Sequence, residues 1–163
     1  MNNEDNIALY AFRKFGDTVL RAAYASCGSY AEAEDITQDV FLLLHSKPQE
    51  FNDDEHMKAW LLRVTINKCK NLKRSFRISR TGSIETEDIS GATYEMAVDD
   101  GSLRQQIEAL PEKYASVIYL YYYEGYNTRE IAEMQGKSEN TVGSLLRRGR
   151  EKLRLELEKE GAI

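Results

Sequence analysis

Four stretches of this chain repeat apolar residues at helical spacing, and none alternates them as a strand would. From Ala31 to His45, the residues Ile36, Val40, Leu43 and Leu44 recur at intervals that place them on one helix face, directed at a core. A second helix is predicted over about His56 to Phe76; it opens on Met57, Trp60, Leu61 and Leu62 and turns polar and basic towards its end. Further on, Asn127-Thr128-Arg129-Glu130 has the form of an N-cap with an acid three positions later, opening a helix through Ile131, Ala132 and Met134 that Gly136 ends. Ser138 then caps another helix, whose Val142, Leu145, Leu146, Leu153 and Leu157 point inward and leave Asn140, Ser144, Arg147 and Arg148 outward. The only prolines are Pro48, placed in a loop, and Pro111, which fits a first helical turn.

Between Thr81 and Ser102 the apolar positions thin out, Gly82, Gly91 and Gly101 enter, and no period survives, as in a flexible linker. The expected fold class is all-α. Two small helical domains, 6–80 and 103–160, are joined by the acidic linker 81–102, and the second contains a helix-turn-helix. A length of 163 residues suits one domain or two small ones, and 42% apolar residues suffice for packed cores. No apolar run approaches the roughly 20 residues that span a bilayer, and Met1-Asn2-Asn3-Glu4-Asp5 lacks the basic start and apolar core of a signal peptide, so a cytoplasmic location is expected. Cys27 and Cys69 lack metal-ligand spacing and are read as packing residues rather than a disulfide; His45 and His56 look incidental.

A net charge of -5 argues against a nucleic-acid partner until its distribution is followed. From Glu32 to Glu55 there are eight acidic residues against Lys47 alone, whereas Arg63 to Arg80 carries seven basic residues and no acid. The linker is acidic again, and Arg147, Arg148, Arg150, Lys152 and Arg154 make the last helix basic.

Three surfaces are candidates for chemistry. Asp35, Gln38, Asp39 and Leu42 line one ridge with Phe41 beside it; this is either a solvated acidic face or a docking surface for a basic partner with an apolar centre. Metal-dependent nuclease chemistry on Glu32, Asp35 and Asp39 lacks a histidine or a second carboxylate motif. On the next helix Trp60, Val64, Asn67, Asn71 and Arg74 share a ridge flanked by Lys68, Lys70 and Lys73. Cations neutralise phosphate and amides bond exposed base edges, which favours nucleic acid over a solvated helix end. Phe76 offers a stacking face there. In the helix-turn-helix the second helix would enter a major groove by its N-terminal residues, although a plain helical hairpin would use the same glycine. The tyrosines at 114, 119, 121, 122, 123 and 126 suit core and rim packing better than base stacking.

These residues carry a family resemblance. Ala33-Glu34-Asp35-Ile36-Thr37-Gln38-Asp39-Val40-Phe41, followed by Trp60-Leu61-Leu62-Arg63-Val64-Thr65-Ile66-Asn67, resembles region 2 of bacterial sigma factors. Leu110-Pro111-Glu112, Glu130-Ile131-Ala132 and Thr141-Val142-Gly143-Ser144-Leu145-Leu146-Arg147-Arg148-Gly149-Arg150 resemble region 4. Their order and the lack of further domains are similar to the extracytoplasmic-function group. The resemblance implies a non-enzymatic initiation factor that needs no cofactor or metal and works with core RNA polymerase and promoter DNA. An anti-sigma factor is a further candidate partner. It implies that Asp35, Gln38, Asp39, Phe41 and Leu42 grip the clamp helices of the polymerase. Asn67, Lys68, Lys70, Asn71, Lys73 and Arg74 would capture the unpaired minus-ten strand. Ser138, Asn140, Thr141, Ser144, Arg147, Arg148 and Arg150 would form the minus-thirty-five surface. Gly143 and Leu145 stand where the family often has basic residues, and Gly149 replaces a common alanine. The linker is similar to those that thread toward the RNA exit path, where its acidic charge would mimic nucleic acid. The competing class is a ligand-responsive helix-turn-helix regulator, which explains the last two helices but not the two ridges before them.

Overall fold

An alanine-rich stripe on the first helix lets two further helices pack closely against it. α1 (Asn3–Cys27) presents Ala8, Ala11, Phe15, Val19, Ala23 and Cys27 at intervals of three or four, and all six are buried in one cluster. α2 (Tyr30–Ser46) adds Ala33, Ile36, Val40, Phe41 and Leu44, and α3 (Asp54–Ser79) adds Met57, Leu61 and Cys69. This computed structural model describes the backbone of residues 3–79, 105, 107 and 109–159, and the side chains of these apart from 3–6 and 76–79. The linker 81–102 and the Phe76 ring therefore lie outside the described residues. Contacts divide the chain into two units, Met1–Tyr94 and Glu95–Ile163.

In the first unit the connections are short and capped. Gly28, at φ 79°, ends α1 in the left-handed conformation, and Ser29 then caps α2 by accepting from Glu32 N at 3.3 Å. Asp53 caps α3, its Oδ1 accepting from His56 N at 2.9 Å, while His56 Nδ1 accepts from Asn52 N at 3.0 Å. His56, incidental in the sequence, thus ties the start of α3 to the residue ahead of its cap. The buried hydroxyls of Thr37 and Thr65 donate to the carbonyls of Ala33 and Leu61 one turn earlier, both at 2.7 Å, so neither opens a polar defect in the core.

The two cysteines meet in this core. Cys27 Sγ lies 3.1 Å from Cys69 Sγ as a free thiol pair, and Cys69 also donates to the Ala23 carbonyl at 3.9 Å. The hydrogen bond to Cys69, and then burial, push the Cys27 thiol well above its ordinary range, so it stays protonated.

In the second unit Gln105 and Ile107 are helical, and α4 (Glu112–Ile118) follows, preceded by Pro111 at φ -54° and ψ 145°. The proline stands at the cap, one position before the first turn expected of it; its extended ψ lies outside the helix, and its carbonyl accepts from Tyr114 N and Ala115 N, both at 2.9 Å. α4 runs into a π-helical turn, Tyr119–Tyr123, and is followed by α5 (Thr128–Gln135) and α6 (Glu139–Lys159). Tyr114, Tyr119 and Tyr126 are buried and Tyr121, Tyr122 and Tyr123 are exposed. Gly149 marks the crossing of α4 and α6: a Cβ there would lie 2.7 Å from Ile118 Cδ1 and 3.3 Å from Tyr114 Cβ. The departure from alanine at this position therefore concerns packing inside the unit.

Expectations for several apolar side chains also need correction. Phe41 does not sit on the docking ridge: it is 8% exposed and joins the core, edge-on to Phe12 with ring centroids 5.3 Å apart. Its position, one residue past Val40, still falls inside the arc that α1 covers. Leu43 on α2 and Leu153 and Leu157 on α6, all expected inward, are half-buried. Phe41→Ala should accordingly destabilise the chain by about 3 kcal/mol in chemical denaturation, whereas Leu42→Ala on the exposed neighbour should stay within about 0.5 kcal/mol. Equal effects would contradict this division between core and surface.

Candidate polymerase and nucleic-acid interfaces

On α2, the inward commitment of Ala33, Ile36, Val40 and Leu44 fixes what faces out. Asp35, Gln38 and Asp39 are exposed, and Leu42 is 62% exposed. The result is a leucine held in water beside two carboxylates. α1 extends the apolar character in a way that sequence reading missed: Leu9, Tyr10 and Phe12 are 45%, 46% and 53% exposed. All three lie off the Ala8 to Cys27 stripe, which is the signal that would have revealed them. Tyr10 donates to the Asp54 carboxylate at 3.0 Å, which raises its hydroxyl above the usual phenol range, and Lys14 pairs with Asp54 at 3.3 Å. Both contacts join α1 to the start of α3.

On α3 the expected ridge divides along its length. Trp60 and Val64 pack against the core, with Trp60 edge-on to Phe51 at 5.7 Å. Asn67, Lys70, Asn71 and Arg74 are exposed, and Lys68 and Lys73 are half-buried. The amide and cation end is thus carried out from a well-packed base. The side chain of Phe76, a proposed stacking face, is outside the described residues.

The last two helices are fixed by caps at both ends of the turn between them. Asn127 Oδ1 accepts from Glu130 N at 2.8 Å and Glu130 Oε1 accepts from Asn127 N at 2.9 Å, a closed capping box that starts α5. Gly136 ends α5 at φ 66° and ψ 37°, a conformation costly for residues with a Cβ. Ser138 Oγ accepts from Thr141 N at 3.1 Å and donates to Thr141 Oγ1 at 2.9 Å, so both hydroxyls serve the α6 cap. Thr128 Oγ1 donates to Glu139 Oε2 at 3.2 Å, tying the start of α5 to that of α6, and Gln135 Nε2 donates to Ser116 Oγ at 3.1 Å, tying α5 to α4.

Along α6, Asn140, Thr141, Arg147, Arg148 and Arg150 are exposed and Ser144 is half-buried. Asn140, Gly143, Ser144 and Arg147 follow at three, one and three and share a ridge. Arg150, three positions past Arg147 and seven past Gly143, continues it on the Gly143 side, with Nη1 donating to the Tyr122 hydroxyl at 3.3 Å. Leu145, where the family often carries a basic residue, is buried at 8% and packs inward. Beyond this point Arg154 pairs within the helix with Glu151 at 2.6 Å and Glu158 at 2.7 Å, while exposed Lys152 lies 5.8 Å from the centre of the Tyr114 ring. Among the described residues no cluster of three or more His, Cys, Asp or Glu side chains is arranged to hold a metal ion.

Comparison with known proteins agrees with this geometry region by region. Residues 11–77 match the model of Sigma-70 region 2 and residues 100–153 match that of Sigma-70 region 4. The first span contains both ridges of the N-terminal unit and the second the capped helix pair. The chain is similar to the ECF RNA polymerase sigma factor SigW of Bacillus subtilis, at 28% identity over 158 residues, covering 88% of this chain and 84% of SigW. It is also similar to SigL of Mycobacterium tuberculosis, at 29% identity over 149 residues, covering 86% of this chain and 83% of SigL. In fold it resembles the sigma factor RpoE of Bartonella quintana, solved with the anti-sigma factor NepR, with a TM-score of 0.61, 23% identity, and coverage of 88% of this chain and 92% of that one. CnrH, solved with the cytosolic domain of CnrY, has the same TM-score of 0.61 at 21% identity and covers 95% of this chain, with 90% of CnrH covered. With both region models matched in their order along the chain and full-length relatives of the same kind, this protein belongs to the sigma-70 family of RNA polymerase sigma factors, in its extracytoplasmic-function group.

Proposed function

We propose how this chain, a non-catalytic initiation factor that binds core RNA polymerase and directs it to promoters, divides that work among its surfaces. The observation that carries the reading is the pairing, on one packed unit, of an acid and leucine ridge on α2 with an amide and cation ridge on α3. A ligand-responsive helix-turn-helix regulator has no use for that pair. Asp35, Gln38, Asp39 and Leu42 dock on the polymerase clamp helices, the leucine supplying the apolar centre and the carboxylates the orientation. Phe41 supports this surface from beneath.

Asn67, Asn71, Lys70 and Arg74, with Lys68 and Lys73 beside them, receive the unpaired minus-ten strand. Single-stranded DNA offers base edges and flexible phosphates that the duplex does not, so binding it shifts the melting equilibrium without any chemical step. α6 lies in the major groove of the minus-thirty-five element. Asn140 and Ser144 reach base edges, Arg147, Arg148 and Arg150 meet phosphates, and Ser138 and Thr141 hold the helix start. The domains are 6–80 and 103–160, and the acidic segment 81–102 follows the RNA exit path. No helix among the described residues is long and apolar enough to cross a membrane, and we place the protein in the cytoplasm with the polymerase. An anti-sigma factor, the kind of partner with which RpoE was solved, belongs to the same proposal; exposed Leu9, Tyr10, Phe12 and Leu42 offer it an apolar surface.

Asp39→Arg should weaken core-polymerase binding at least tenfold while leaving the thermal midpoint in place, because the side chain is exposed and a like-charge contact replaces an attractive one. Unchanged affinity for core polymerase would remove α2 from the interface. Within the holoenzyme, Asn140→Ala should cost about 1 to 3 kcal/mol on the preferred minus-thirty-five sequence and relax discrimination at one or two base pairs. Arg150→Ala should weaken all sequences alike and lower the salt slope by about one unit. A uniform loss from Asn140→Ala, or a changed sequence preference from Arg150→Ala, would contradict the placement of α6.

A further inference from the structure

α6 contains two glycines with opposite surroundings. Gly149 is crowded by its own unit, where a Cβ would meet Ile118 Cδ1 at 2.7 Å and Tyr114 Cβ at 3.3 Å. Gly143 has no such reason: a Cβ built there meets no atom within 4 Å, its backbone is helical, and it lies in the first turns of a 21-residue helix. A glycine inside a helix is a net cost relative to alanine, and nothing within the unit offsets it at this position. What Gly143 does create is a notch. It lies half-buried at the flank of the face assigned to base edges, one turn from Asn140 and from Arg147, so the helix carries no side chain at that edge of the face.

We propose that Gly143 is the point of closest approach between α6 and the promoter, a notch that seats the C5-methyl group of one thymine in the major groove. The inference rests on the groove placement of α6 given above and adds to it a specificity-determining position. The chemistry selects the ligand. A notch the size of one missing methyl, with bare backbone at its floor, accepts a small apolar projection, and the thymine methyl is the only one that base edges present in the major groove. Asn140, one turn earlier, and Ser144, across the ridge from it, then supply the polar contacts to the neighbouring edges. Arg147, further along the same ridge, holds the flanking phosphate and fixes the depth of insertion.

The test exchanges the methyl between the two partners. Gly143→Ala should raise the thermal midpoint of the protein by a few degrees, as loss of a helical glycine does. In holoenzyme it should nevertheless bind the preferred minus-thirty-five duplex about tenfold more weakly, equivalent to about 1.4 kcal/mol. Replacing a single thymine of that duplex by deoxyuridine, which lacks the methyl, should weaken the wild-type complex at one position. The same replacement should restore binding to Gly143→Ala. Affinity of Gly143→Ala equal to or above that of the wild type would overturn the proposal, as would a loss that no single deoxyuridine relieves. Asn140→Ala, measured alongside, separates the two levels. If it weakens binding and Gly143→Ala does not, α6 is in the groove and the notch is not its contact point. If neither variant loses affinity, the groove placement itself fails and the notch with it.

Discussion

Everything the N-terminal unit presents to a partner depends on one interior, the stripe from Ala8 to Cys27 on α1 with Val40, Leu44 and Leu61 set into it. Alanines at 8, 11 and 23 keep α1 thin where the other helices cross it, and Val19, Val40, Leu44 and Leu61 are fully buried there. Each partner helix can give only one face to this interior. α2 spends its apolar face there and is left with carboxylates and Leu42 outside, while α3 buries its start and carries asparagines and cations at its exposed end. Two surfaces of opposite character are thereby held by a shared core, without either one contributing to it. Such an arrangement lets each be altered with little effect on folding, which is what a surface for recognition requires.

The C-terminal unit reaches a comparable result by turn chemistry. A capping box starts α5, a left-handed glycine ends it, and a serine restarts the chain as α6, so the angle between the two helices is set by local hydrogen bonds. The contacts from Gln135 to Ser116 and from Gly149 to Ile118 then press this pair onto α4. α6 has little freedom left, and its ridge from Asn140 to Arg147 is presented as a rigid edge. Rigid presentation matters because base contacts lose their selectivity when the side chains that make them are free to drift.

Much of this could be read from the chain because local rules and tertiary structure agree. The periods of α2 and α3, the cap at Asn127, the break at Gly136 and the cap at Ser138 are each set within a few residues, and helices stand where those rules place them. Departures arise where distant packing decides. Phe41 looked like part of a ridge because spacing gives an angle around a helix but not the width of the neighbour that covers it; α1, with Phe12 reaching over, covers a wider arc. The outward residues of α1 went unnoticed because Leu9, Tyr10 and Phe12 blend with the apolar stripe until the stripe is known. The meeting of Cys27 and Cys69 joins positions 42 residues apart, which no local pattern reports. The distinction between Gly143 and Gly149 is likewise invisible in sequence and follows only from what stands opposite each.

In the division of work we propose, the exposed end of α3 acts on DNA only after its strands part, while α2 independently holds the polymerase. Promoter opening by holoenzyme carrying Asn67→Ala tests this most directly, with permanganate reactivity of unpaired thymines as the readout and with core-polymerase affinity and duplex occupancy measured on the same samples. Wild-type affinity for core polymerase, duplex occupancy close to wild type and a severalfold loss of thymine reactivity are expected. Full reactivity in the variant, or a loss of core binding that parallels the loss of opening, would contradict that division.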